Sequence, residues 1–170
     1  SHFGTQVAAY VERFAGNSED EIRALRDGLR RWERIKSESN PLLAGMLARA
    51  LAEAGHTDEA LSFAEGVRGS ASASHLHIEI LWKSAEAMVL ARTDRPESAE
   101  RLAREALSGA RRQTEFTWII ADQLMVLAEV LHRRGHDDEA FGAAGEALER
   151  YEDKGVAIFA ERARSLLRMI

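Results

Sequence analysis

A short phrase occurs twice in this chain of 170 residues with one difference, as Gly55-His56-Thr57-Asp58-Glu59-Ala60 and as Gly135-His136-Asp137-Asp138-Glu139-Ala140. A small residue follows each alanine four positions on, Ala64 and Ala144. Leu47-Ala48 with Leu51 precedes the first copy, and Leu127-Ala128 with Leu131 precedes the second. A third, looser copy lies between them: Ala87, Leu90, Asp94, Ala99, Ala103 and Ala106. From Ala60 to Ala99 is 39 residues, and from Ala99 to Ala140 is 41. A chain that returns to one pattern at this period builds stacked units rather than one unique core.

Each part of the pattern has a physical reason. Two antiparallel helices approach closely only where small residues stand at the crossing, so Ala recurs there. The glycine ends the first helix in a left-handed conformation that other residues resist. The acidic pair opens the second helix with negative charge at its positive end. One hairpin leaves an apolar face open, and the next hairpin buries it.

The rest of the sequence agrees. Ala, Leu, Glu and Arg dominate, all strong helix formers, while β-branched residues are too sparse to furnish a sheet. Only two prolines occur, and both stand where helices begin: Pro41 after the capping residue Asn40, and Pro96 just after Asp94. Ser18 with Glu21 three residues on reads as a capping box. The expectation is an all-α chain of about nine helices: near 4–15, a second that follows Ser18 and includes Lys36, then near 41–54, 58–67, 75–92, 96–111, 115–134, 138–152 and 156–169. The segment from Gly66 through Gly69 to Ser74 is the loosest connection. Ile22, Leu25, Leu29 and Trp32 form a core-facing stripe on the second helix.

With the small residue and Leu of the first helix, the glycine turn and the small positions of the second, the chain resembles a tetratricopeptide repeat protein. The likeness covers about residues 40–154. Its period exceeds the usual one, as in the long-helix variety of bacterial maltose-regulator-like and LuxR-type ATPase regulators. The stretch from Ala147 to Leu167 looks like the end of such arrays in actinobacterial NTPase and cyclase proteins. The resemblance implies a right-handed α-solenoid of antiparallel helical hairpins. Residues 1–39 form a divergent first hairpin, 40–73, 74–113 and 114–154 three repeats, and 155–170 a capping helix. On that cap Val156, Phe159, Ala160, Ala163 and Leu167 face inward, while Glu161, Arg162 and Arg164 face water. The chain opens on Ser rather than Met, so the expectation is a fragment of a larger regulator.

Composition narrows the chemistry. Without cysteine there are no disulfides, thiol nucleophiles or thiolate metal sites. With 23 basic against 28 acidic residues the net charge is −5, which argues against nucleic acid as partner. Arg23, Arg26, Arg30, Arg31, Arg34 and Lys36 make the second helix basic. Their drift toward its C-terminus follows the helix dipole. No apolar run approaches a membrane span, and no signal peptide is evident, so a cytoplasmic location is expected. Neither a P-loop nor a dinucleotide-binding pattern occurs. His132 and His136 are four apart, but Gly135 between them ends the helix and breaks the metal-binding geometry. The expectation is a protein with no enzymatic role, no cofactor and no metal.

In the repeat class that the sequence resembles, the first helices of successive hairpins line a concave groove. Carried over, that groove receives Leu42, Arg49 and Glu53, then Leu81, Ser84, Met88 and Arg92, then Asp122, Met125, Glu129, His132 and Arg133. Trp118 departs from the stripe of Ile120, Leu124, Leu127 and Leu131 and joins the mixed face. The expected partner-binding residues are Arg49, Met88, Arg92, Trp118, Asp122, Met125, Glu129 and Arg133. They suit a protein or peptide segment with acidic and apolar positions. A small-molecule effector site and a homo-oligomerisation segment, a homodimer among them, are the alternatives.

Overall fold

A computed structural model describes residues 2–70, 72–73, 75–93, 95–112 and 117–170. The expected roles of Ala71, Ser74, Asp94 and Glu115 lie outside these residues. Among the described residues there are nine helices and no strand, and about 85% are helical. They are α1 (His2–Ala15), α2 (Ser18–Lys36), α3 (Pro41–Ala54), α4 (Thr57–Arg68) and α5 (Leu76–Leu90). α6 (Pro96–Arg112), α7 (Thr117–Arg133), α8 (Asp137–Asp153) and α9 (Ala157–Met169) complete the chain. None is long and apolar enough, in its described residues, to cross a membrane.

Packing divides the chain into two compact units, residues 1–86 and 87–170. In the first, α1 packs on α2, α2 on α3 and α3 on α4. In the second, α6 packs on α7, α7 on α8 and α8 on α9.

One turn is used four times. Gly16, Gly55, Gly135 and Gly155 all have positive φ, between 69° and 87°. Each donates its N–H to the carbonyl three residues back, and the next residue donates to the carbonyl five back. This closes the helix C-terminus and reverses the chain. Gly16 and Gly55 are 39 residues apart, so the first hairpin keeps the register of the others.

That register corrects the expected start of α2. The Gly16 turn makes Asn17 the N-cap and Ser18 the first helical residue, so no Ser18–Glu21 capping box forms. Glu21 stands where the later copies of the sequence pattern carry Ala60, Ala99 and Ala140, and all four are buried. Its carboxylate lies 3.4 Å from Arg49 Nη2 and 4.0 Å from Arg13 Nη1, while Arg13 also meets Glu53 at 2.6 Å. Two arginines and two glutamates thus form a charge-balanced cluster joining α1, α2 and α3. The close helix crossing moves instead to Gly28, where a Cβ would stand 2.2 Å from Thr5 Cγ2. Trp32 is half-buried rather than in the core, with the His2 ring edge-on at 5.4 Å.

A charge ladder runs along the second helices. Arg26, five residues past Glu21, meets Glu59, one before Ala60, at 2.6 Å. Arg104, five past Ala99, meets Glu139, one before Ala140, at 2.7 Å. The same rung is built twice, once in each unit.

Elsewhere the start signals hold. The Asn40 side chain accepts from the N–H groups of Leu42 and Leu43, both at 3.1 Å, and Pro41 opens α3 behind it.

Candidate functional site

The second unit contains an open cleft of about 460 Å³ between the C-terminal half of α7 and α9. α8 holds both walls. Tyr151 on α8 donates its hydroxyl proton to Asp122 on α7 at 2.6 Å, a buried bond. Its ring also packs against Phe159 on α9, with centroids 5.5 Å apart. Glu129, His132 and Arg133 recur at helical spacing on α7, and Arg162, Ser165, Leu166 and Met169 do so on α9, so each set lies on one face.

The cleft has an apolar floor and a charged rim. Leu166 is buried and Met169 is largely exposed. Arg162 Nη2 binds Glu129 Oε1 at 3.1 Å, which ties the rims together and neutralises that pair. His132 Nδ1 shares a hydrogen bond with Asp137 Oδ1 at 2.8 Å. Arg133 is exposed and forms no ion pair among the described residues. Arg133 therefore presents a positive charge beside Leu166 and Met169.

No known protein family, curated protein or solved structure gives a significant match to this chain.

The eight expected partner-binding residues have different placements. Glu129 and Arg133 line the cleft. Arg92 is exposed just past α5, and Trp118 is half-buried at the start of α7. Arg49 is buried in the cluster with Glu21. Met88, Asp122 and Met125 are buried as well. The mixed face expected on α7 is thus open only toward its end. α6 and α8 both pack on this helix, and every residue from Ile119 to Ala128 is buried. Of the further groove positions, Leu81 and Ser84 are buried, and Leu42 and Glu53 are half-buried.

Arg162, Ser165 and Met169 were not expected at a site. The signal for them is Gly155: it repeats the turn of Gly135 and so sets which face of α9 turns inward. Leu166 rather than Leu167 then completes the inward stripe of Phe159, Ala160 and Ala163. His132 and His136 engage Asp137 and Glu100 respectively. Among the described residues no group of three or more His, Asp or Glu is placed to hold a metal ion.

Proposed function

We propose that the chain is a tetratricopeptide-like α-solenoid whose work is binding rather than catalysis, part of a cytoplasmic bacterial regulator. In this reading the α7–α9 cleft takes a short protein or peptide segment. Arg133 grips a carboxylate with its planar fork, and Leu166 with Met169 receives a neighbouring apolar side chain. The observation that supports it is the exposed, ion-pair-free Arg133 beside an apolar floor. A second reading, a small-molecule effector, is favoured by the cleft volume, which falls within the usual ligand-pocket range of roughly 300–1,000 Å³.

The test is selection from a random-peptide library, followed by affinity measurement on the selected peptide. Arg133→Ala and Met169→Ala are expected to weaken binding about tenfold each, the loss of one charge-assisted contact or one anchor. Arg101→Ala, an exposed position on α6, serves as control. Peptides that bind both cleft variants as well as the parent, or binding lost only in the control, would refute the assignment. If no peptide is selected but acidic metabolites shift the melting temperature of the parent and not of Arg133→Ala, the effector reading replaces it.

A further inference from the structure

The polarity of α1 is reversed. Thr5, Ala9 and Arg13 face inward and are buried, while Phe3 is 67% exposed, Val7 46%, Val11 59% and Phe14 39%. Those four recur at helical spacing and form one outward stripe, with the ring of Tyr10 stacked on Phe14 at 6.1 Å. None of them carries charge. A surface helix left to water normally shows the opposite pattern.

The other first helices indicate what this face is for. The residues fourteen before the crossing position are Met46, Ala85 and Val126, and those ten before it are Ala50, Val89 and Val130. All six are buried. Val7 and Val11 hold these same two positions relative to Glu21, and they alone are exposed. A face that is covered in α3, α5 and α7 is open in α1.

We propose that α1 is a self-association surface, on which two copies of this chain pair their α1 helices antiparallel. The stripe is its own complement. Phe3, Val7, Tyr10 and Phe14 are spaced four, three and four apart, the spacing of a helix–helix seam. Reversing the helix lays Phe3 on Phe14, Val7 on Tyr10 and Val11 on Gln6, so the phenylalanine rings meet each other and Tyr10 packs on Val7. Of the charged residues of α1, Arg13 is turned inward and Glu12 falls opposite Thr5 rather than a second glutamate, so no like charges meet. A two-fold axis through the helix centre satisfies both copies with one set of contacts. The area fixes the strength: the exposed stripe amounts to roughly 400 Å² per copy, about half of what a stable dimer buries on each side. The dimer is therefore a weak one.

Sedimentation velocity on the full chain, over a concentration series, tests this. A reversible dimer is expected, with a dissociation constant of roughly 10–500 µM. Val7→Glu/Val11→Glu, at two exposed positions, should weaken it about tenfold or more while leaving the helical circular-dichroism signal intact. Phe141→Ser, at the exposed aromatic of α8, should leave it unchanged. Because the chain has no cysteine, Phe3→Cys and Phe14→Cys chains mixed under oxidation should form the mixed disulfide in preference to either homodimer. A monomer throughout the range overturns the proposal. So does a dimer that survives the α1 double variant or is lost in Phe141→Ser. Preferential Phe3–Phe3 or Phe14–Phe14 cross-linking overturns the antiparallel pairing.

Discussion

Replacing Glu21 with alanine puts two kinds of reasoning in opposition. Alanine stands at the matching position in the three later copies of the pattern, so repeat logic makes Glu21→Ala harmless or stabilising. The packing says otherwise. Glu21 is buried and lies 3.4 Å from the buried guanidinium of Arg49. Removing one member of a buried ion pair costs about 3–5 kcal/mol, because the other charge keeps its desolvation penalty. Arg13 retains Glu53 at 2.6 Å, so part of the cluster stays compensated and the lower end applies, about 3 kcal/mol. In a chain of this size that is a drop of roughly 6–12 °C in Tm. Urea unfolding followed by circular dichroism measures it. The second arm is Glu21→Ala/Arg49→Met, which removes both charges and leaves Arg13 with Glu53. It should recover most of the loss, since apolar replacement of a whole buried pair is often neutral. A single variant within about 0.5 kcal/mol of the parent, or a double variant less stable than the single, would refute the reasoning.

Three further outcomes follow from particular contacts. Ala140→Leu, at a crossing position with no exposed surface, should overpack the α7–α8 junction by about 1–3 kcal/mol in the same urea experiment. Tyr151→Phe removes the donor held 2.6 Å from the buried Asp122 carboxylate and should cost about 1.5–3 kcal/mol, seen as a lower denaturation midpoint with an unchanged slope. Burial works to raise the pKa of Glu100, but hydrogen bonds from Arg104 and Arg134 overcome it and hold the group below its ordinary 4.5. Its stabilising contribution is therefore whole above that value and lost as pH falls through the lowered one. Glu100→Gln should flatten the stability profile on the acid side of 4.5, and an unaltered acid limb in thermal melts would contradict the assignment.

What the sequence made legible was governed by local rules. Gly55 and Gly135 marked helix ends because few other residues adopt the left-handed turn, and Asn40-Pro41 marked a start because cap and first-turn proline act within three residues. Ala60, Ala99 and Ala140 announced buried positions by their size and spacing. Glu21 was misread because its local surroundings, an acidic run after Ser18, describe a helix start equally well. Its true partners, Arg13 and Arg49, lie on other helices. The α7 face failed for a related reason. Asp122 looks like a solvent residue until Tyr151, from the next helix, supplies the proton it accepts. Arg162 and Met169 escaped notice because a terminal helix with alternating charges also satisfies the pattern of a cap. Non-local pairing, not helix formation, was the part that the residues concealed.

The repeated rung between Arg26 and Glu59, and again between Arg104 and Glu139, carries a direction. Arginine always belongs to the earlier hairpin and glutamate to the later, so the contact distinguishes before from after. Each helix offers only its own half: at the two rung positions α4 holds Glu59 and Glu65, while α6 holds Ser98 and Arg104. Two copies of α4 side by side would therefore set glutamate against glutamate. Surface ion pairs of this kind contribute little to stability individually. They act instead as a pairing rule within each unit, matching a helix that offers arginine to one that offers glutamate.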